Sequence, residues 1–287
     1  MFSPTVHTRF IALLGNPLGH SISPPMHNRV FEKLEMDYCY LPVEVTAEDL
    51  GTVFAAMKKM NFAGCNVTIP HKLAIMAHLD ELDDLAETIG AVNTVRFQNG
   101  RSKGFNTDGE GFVRSLQEES GITPKGHRFL LFGCGGATRA IAMTLAAHGA
   151  ERVMICNRTE AKAEALAEEI NRRVRPCATS IACNSKAQLA AAAEAEILVN
   201  TTSVGMHPNE DVMPFPEACI EARHVVADIV YNPWMTKLLR TAEEKGAKAV
   251  HGLGMLVWQG AAAFQIFTDR EADVAVMKEE VEKLRKG

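Results

Sequence analysis

The sequence offers little that would tie it to a structural metal, a crosslinked frame or a membrane. Its seven cysteines are scattered, odd in number, and never spaced Cys-x-x-Cys. That pattern excludes a zinc knuckle and a disulfide scaffold and points to reduced thiols. An excess of positive charge is also missing: the net charge of −5 gives no reason to expect nucleic acid, which needs the opposite sign. No stretch is long and apolar enough to span a bilayer, and Met1–Phe10 has no apolar signal core. The expectation is a cytoplasmic protein with no membrane and no nucleic-acid partner. Aromatic residues are few. None of the three tyrosines is followed by Lys at the Tyr-x-x-x-Lys spacing, which excludes one common dehydrogenase chemistry. Histidine pairs at helical spacing, His20 with His27 and His71 with His78, lack neighbouring ligands, so no metal site is expected. There is no internal repeat and no low-complexity segment.

What is present is an ordinary globular composition, 47% hydrophobic and 23% charged, in a 287-residue chain suited to two domains. The chain is organised around residues 128–157. Phe129–Phe132 is an apolar run of strand length, followed by Gly133-Cys134-Gly135-Gly136-Ala137. Thr138–Ala147 reads as a helix stopped by Gly149, and Arg152–Cys156 as a second strand. Strand, glycine loop, helix, strand is the unit that binds a dinucleotide. The glycines allow a tight turn and close approach of backbone to a pyrophosphate, which the helix N-terminus then holds. Thr138 stands where the third glycine of the usual pattern would be.

The end of the second strand indicates which dinucleotide. A site for NAD places a carboxylate there for the ribose 2′-hydroxyl. This chain has Asn157-Arg158-Thr159, with Lys162 one helical turn further on. A guanidinium suits a 2′-phosphate, so NADP is favoured, although Glu160 between the two cations can also serve as a hydroxyl acceptor.

The first half alternates strands and helices: strands at Phe10–Leu14, Tyr38–Val45 and Gly64–Ile69, helices at Met26–Leu34 and Ala47–Met60. That order predicts an α/β sheet with covering helices, with ligands at the carboxyl ends of its strands. Three segments converge there: Ser21 and Ser23, then Asn66–Lys72, then Asn93-Thr94. The two serines can grip a carboxylate, or Ser23 can simply cap the helix. Lys72 follows a strand end, a poor place for an idle cation if a helix begins there, and a lysine in a cleft can transfer a proton. Asp108 reads first as the cap of a helix over Gly111–Glu119. Opposite charges on Lys72 and Asp108 sharing a cleft would tune each other. Val92–Phe97 and Ser102–Phe105 read as strands paired around Asn99-Gly100. Gly121–Gly126 is the hinge candidate. Later strands are expected at Ala178–Cys183, Glu196–Asn200, Val225–Val230 and Lys248–Val250, and a long apolar helix begins near His251 and carries Gln259.

Taken together, Gly19–Pro24, Asn66–Lys72, Gly90–Thr94, Asn106–Gly109, Gly133–Ala137, Asn157–Thr159 and Gly252–Leu256 resemble the shikimate dehydrogenase family over nearly the whole chain. The resemblance implies two domains: a substrate-binding and catalytic domain over residues 1–107, with a parallel or mixed sheet and completed by helices of 255–287, and a doubly wound Rossmann NADP domain over 108–254. It implies reversible NADPH-dependent reduction of 3-dehydroshikimate in the route to aromatic amino acids, by a monomer or homodimer. Lys72 and Asp108 would be the catalytic pair. Ser21, Ser23, Thr68, Asn93, Tyr231 and Gln259 would bind substrate. Gly133, Cys134, Gly135, Gly136 and Ala137 would take the pyrophosphate, and Asn157, Arg158, Thr159 and Lys162 the adenosine phosphate. Ile229 and Gly252 would line the nicotinamide, with Asp84 also at the cofactor. The family's motif usually has Arg where Lys162 stands, whereas its quinate-using, NAD-accepting branch has an acid at Glu160 and a substrate-site tyrosine at Tyr40. NAD therefore remains a secondary cofactor, and quinate a second substrate.

Overall fold

The computed structural model describes residues 4–19 and 21–286, so His20 lies outside the described residues. The chain divides into two compact units, Met1–Thr107 with Gln259–Gly287, and Asp108–Trp258.

The first unit is built on a six-stranded mixed sheet. Strands β1 (Arg9–Gly15), β2 (Tyr38–Glu44) and β3 (Phe62–Val67) run parallel, with β1 in the middle. Beyond β3 come β5 (Thr94–Gln98) and β6 (Arg101–Phe105), both antiparallel to their predecessors, and then the two-residue β4 (Glu81–Leu82). Asn99-Gly100 turns the β5–β6 hairpin as its dipeptide predicts: both residues have left-handed backbone, φ 52° and 73°. Helix α1 (Ser23–Lys33) packs on α10 (Val274–Lys286), and Lys33 pairs with Asp273 at 3.0 Å. The α1 face closes over Phe31, whose ring stacks on Phe264 of α9 (Gly252–Thr268). Gly64 is obligatory in this packing: a Cβ there would lie 2.1 Å from the Val95 carbonyl. The opposite face of the sheet buries Ala12, Leu14, Cys65 and Val95 against Leu50, Phe54 and Met57 of α2 (Leu50–Met57).

Helix α2 is shorter than the expected Ala47–Met60. Thr46 and Asp49 form a local turn, Asp49 N donating to Thr46 Oγ1 at 3.2 Å, which holds residues 46–49 out of the helix. Helix α3 (Asp84–Ile89) and a 3-10 turn at Ala74–His78 were not expected from periodicity; both are too short to show any.

The second unit is a six-stranded all-parallel sheet ordered β12-β11-β10-β7-β8-β9. Its strands are β7 (Arg128–Phe132), β8 (Arg152–Cys156), β9 (Ala178–Ile181), β10 (Ile197–Asn200), β11 (Val225–Asp228) and β12 (Lys248–Val250). Helices α5 (Gly136–Ala147), α6 (Glu160–Arg173), α7 (Ser185–Glu194) and α8 (Lys237–Glu244) follow β7, β8, β9 and β11. Parallel strands covered on both faces read as unbroken apolar runs, and Phe129–Phe132 is at most 3% exposed. The chain moves outward from β7 to β9, then returns to β10 on the other side of β7. This is the doubly wound order, and its crevice lies at the carboxyl ends of β7 and β10.

Helix α4 (Asp108–Ser120) opens this unit, beginning three residues earlier than expected. Gly109 lets it press onto α5: a Cβ would fall 2.0 Å from Thr144 Oγ1. The hinge candidate Gly121–Gly126 lies inside the unit as the α4–β7 connection. Its glycines, with φ of 80° and 77°, stop one helix and turn into the next strand.

Candidate active site

At the carboxyl ends of β1, β3 and β6, and the amino end of the antiparallel β5, the first unit carries a connected set of polar groups. The register sets Asn66 opposite Thr94. Asn66 Nδ2 donates to Thr94 Oγ1 at 2.9 Å and to the Asn93 carbonyl at 3.1 Å. Thr94 Oγ1 donates to Asn93 Oδ1 at 3.0 Å. Asn93 in turn holds Thr107: Nδ2 donates to Thr107 Oγ1 at 2.9 Å, and Oδ1 accepts from Thr107 N at 2.9 Å. Such a fully bonded buried network fixes its members' orientation. Asn66 and Thr94 lie in segments expected to converge here, but neither they nor Thr107 were given a role from the sequence; the β3–β5 and β5–β6 pairings bring them together.

Tyr40, expected at the substrate, is placed otherwise. It is 1% exposed, and its hydroxyl donates to Asn66 Oδ1 at 2.8 Å, so it reaches the site only through Asn66. Burial raises its phenol well above the usual range. Its ring stacks on the His27 imidazole with centroids 4.6 Å apart.

Ser23 is the first residue of α1, with Ile22 at the cap position and no side-chain cap. The simple capping role is thereby set aside. Pro24 and Pro25 lack the N–H groups that a cap would satisfy. Ser23 N donates to Ser21 Oγ at 3.4 Å, holding the two serines side by side. Thr68 is half-buried, and its N–H donates to the Leu14 carbonyl at 2.8 Å. Its methyl leaves no room for a Cβ on Gly15, which would lie 2.4 Å away. Lys72 lies on a turn before the 3-10 segment, half-buried, and its carbonyl accepts from Val92 N at 2.9 Å. Exposed Ile69 and Leu73 flank it with apolar surface. His71 is buried beside it, with Nε2 bonded to the Val45 carbonyl at 2.7 Å. Asp108 is 5% exposed and is the first helical residue of α4, where a carboxylate complements the helix dipole; it does not cap a helix beginning at Gly111. Gln259 is half-buried on α9. Asp84 is exposed in the first turn of α3; the capping carboxylate there is Asp83, which accepts from Leu85 N at 3.1 Å.

The second unit shapes the loop after β7 for an anion. Gly133 has φ +120° and donates its N–H to the Cys156 carbonyl at 2.9 Å. A Cβ there would fall 2.9 Å from both Thr201 Oγ1 and Thr202 Cγ2. At Gly135, the N-cap of α5, a Cβ would meet nothing within 4 Å, so open space lies over the helix N-terminus. This open cradle fits a diphosphate. Thr138 replaces the third glycine with a bond: it lies 2.7 Å from Thr201 Oγ1, which donates to the Phe132 carbonyl at 2.7 Å. Cys134 Sγ donates to the Lys162 carbonyl at 3.2 Å, and burial raises its thiol. Gly136 and Ala137 begin α5.

Asn157 follows β8, and its Nδ2 donates to the Thr159 carbonyl at 2.9 Å. Arg158 and Lys162 are exposed on either side of the α6 N-terminus, with Thr159 at its cap. Glu160 plays a structural part, because its Oε1 accepts from Cys183 N at 3.3 Å. That arrangement suits an anion beside the two cations. Ile229 N donates to the Asn200 carbonyl at 3.1 Å, and Tyr231 is half-buried, with its phenol raised by burial. Gly252 is where two backbones nearly touch: a Cβ would lie 2.5 Å from the Val230 carbonyl and 2.7 Å from that of Ile229. Asp228, 2% exposed, was missed. Burial raises its carboxyl to about 6, while Asn200 Nδ2, Val230 N and Thr236 Oγ1 all donate to it within 3.0 Å. An acid within an apolar strand was the available signal. Among the described residues no group of three His, Cys, Asp or Glu side chains is placed to hold a metal, and no helix is long and apolar enough to cross a membrane.

A doubly wound dinucleotide unit joined in one chain to a mixed-sheet unit that carries a lysine among substrate-type polar groups defines an oxidoreductase of the two-domain NADP-binding class. Residues 13–95 match the shikimate dehydrogenase substrate binding domain, and 252–282 the shikimate 5′-dehydrogenase C-terminal domain. Residues 129–250 match the saccharopine dehydrogenase NADP binding domain. The chain is 46% identical to the shikimate dehydrogenase (NADP+) of Methanopyrus kandleri, over 97% of each chain. A solved shikimate 5-dehydrogenase from Listeria monocytogenes, in complex with shikimate and NAD, superposes with TM-score 0.91 at 39% identity, covering 97% of this chain and 98% of that one. One from Thermus thermophilus, in complex with NADP(H) and shikimate, gives 0.86 at 39%, covering 96% and 99%. The chain belongs to the shikimate dehydrogenase family.

Proposed function

We propose that this chain catalyses the reversible reduction of 3-dehydroshikimate to shikimate with NADPH. The observation that carries the reading is the pinned network on the first unit: Val92 holds the Lys72 backbone, and its neighbour Asn93 holds Thr107, the residue before Asp108.

In this reading Ser21 and Ser23 take the substrate carboxylate, while Thr68, Asn93, Tyr231 and Gln259 bond its hydroxyls. Gly133–Ala137 receive the pyrophosphate on the α5 N-terminus. Asn157, Arg158, Thr159 and Lys162 receive the 2′-phosphate, and Ile229 and Gly252 flank the nicotinamide. Asp84, exposed in the first turn of α3, is assigned to the cofactor. Bound NADPH supplies the hydride. Lys72 gives a proton to the ketone oxygen as it becomes an alcohol, and Asp108 orients the ammonium and favours its charged form. In the oxidative direction the same lysine takes the proton back. The reading carries a cytoplasmic enzyme, monomer or homodimer, with NAD as secondary cofactor.

The test is turnover of purified protein with shikimate and with quinate, each with NADP and NAD. The reading expects reduced nicotinamide fastest from shikimate with NADP. Absence of reduction with every pair overturns it, and faster turnover of quinate with NAD transfers the assignment to that acid.

A further inference from the structure

Cys156 ends β8, immediately before the Asn157-Arg158-Thr159 loop, and Cys183 lies just past the end of β9, the neighbouring strand. The Gln188 amide nitrogen lies 3.4 Å from Cys156 Sγ and 3.8 Å from Cys183 Sγ, so one small group touches both sulfurs. Each is wired into the cofactor loops. The Cys156 carbonyl accepts from Gly133 N, and Cys183 N donates to Glu160 at the start of α6. Cys183 is exposed and Cys156 is 2% exposed, which gives one accessible sulfur backed by one sheltered sulfur.

We propose that Cys156 and Cys183 form an oxidation site for peroxides, closing to a disulfide that weakens the adenosine-phosphate end of the NADP site. The Cys183 sulfur, as thiolate, attacks one peroxide oxygen. The O–O bond breaks, Cys183 becomes a sulfenic acid, and the hydroxide that leaves takes up the proton the Cys183 thiol gave up, forming water. The Cys156 sulfur then attacks the sulfenic sulfur, the S–O bond breaks, and a second water leaves as the S–S bond forms. Two thiols have lost two electrons and two protons, and the peroxide has been reduced. Burial holds the Cys156 thiol up and disfavours its thiolate, so Cys183 reacts first. Drawing the two sulfurs together displaces the Gln188 amide. It also pulls on residues 157–160 from one side and on the Glu160 contact from the other.

The kinetic part rests on the proposed NADP function; the covalent part does not. The whole chain is treated with hydrogen peroxide, digested without reductant, and read by mass spectrometry. In parallel, KM for NADP and kcat are measured before and after treatment, and again after thiol reductant. The expected result is a peptide linking Cys156 to Cys183, with KM for NADP raised about fivefold or more, kcat nearly unchanged, and both effects reversed by reductant. Cys183→Ser, an exposed substitution, should fold normally and lose both the link and the KM change. Oxidation that leaves no 156–183 link, a link that leaves KM for NADP unchanged, or a KM change that persists in Cys183→Ser overturns the proposal. An enzyme inactive with NADP in every form, yet showing the link, refutes the function reading and leaves the thiol site standing.

Discussion

Replacing His27 by leucine should flatten the acid sensitivity of the fold. The imidazole is fully buried, neither ring nitrogen has a hydrogen-bond partner, and burial lowers its pKa from 6.5 to about 3. The folded chain therefore refuses a proton that the unfolded chain accepts between those two values, and stability falls as pH falls through that window. One pKa unit is worth about 1.36 kcal/mol. Going from about pH 8 to about pH 5, where the unfolded imidazole is almost wholly protonated, costs about 2 kcal/mol through this residue alone. The full gap, on the order of 5 kcal/mol, is reached only below the folded pKa. For a domain of this size 2 kcal/mol corresponds to about 4–8 °C in Tm. Thermal unfolding of the wild type and His27→Leu at both pH values gives a double difference in which the other titrating groups cancel. The wild type should lose about 4–8 °C more than the variant on acidification. Equal losses would refute the reasoning, because they would mean the buried ring is already protonated or reaches water. The absolute stability of the variant does not enter, so the loss of stacking on Tyr40 does not confuse the result.

Two predictions concern the site. Lys72→Ala should lower kcat by about a hundredfold or more while KM for shikimate changes far less, as for loss of an acid–base group. An unchanged kcat removes Lys72 from the chemistry. Arg158→Ala should lower the preference for NADP over NAD by about tenfold, the scale of one charge-assisted hydrogen bond; steady-state kinetics with both cofactors check it, and equal losses contradict the 2′-phosphate assignment.

The second unit was the more legible half because its signals are local. An unbroken apolar run of four residues, then glycines, then a helix can be placed without knowing any partner, and Phe129–Phe132 differs from the observed strand by one residue. Some capping signals in the sequence were legible but not followed. Asn184 caps α7, accepting from Ala187 N at 3.0 Å, and its type and place are those of an ordinary N-cap. Asp83 and left-handed Gly90 bracket α3 in the same way and were passed over, because six residues carry no period. The site was less legible, for a different reason. Motif resemblance nominated Asn93 and Thr68 one at a time. Besides the adjacent Thr94, the groups bonded to Asn93 are Asn66, at its carbonyl, and Thr107, at its side chain, which are 27 and 14 residues away from it. Only strand pairing gives that proximity. Asp108 went wrong locally: a carboxylate at the first position inside a helix and one at the cap have the same composition signal.

The phenol of Tyr40 has a further consequence for selectivity. Its one proton is already committed to Asn66 beneath the surface, so it has no donor left to offer an incoming acid. Under the proposed reading, telling apart a ring that bears one more alcohol next to its carboxylate then falls to other groups, such as the serine pair and Thr68. What the buried Tyr40 does fix is the rotamer of Asn66, and with it the direction in which the Asn66 amide nitrogen faces Thr94 and the Asn93 carbonyl.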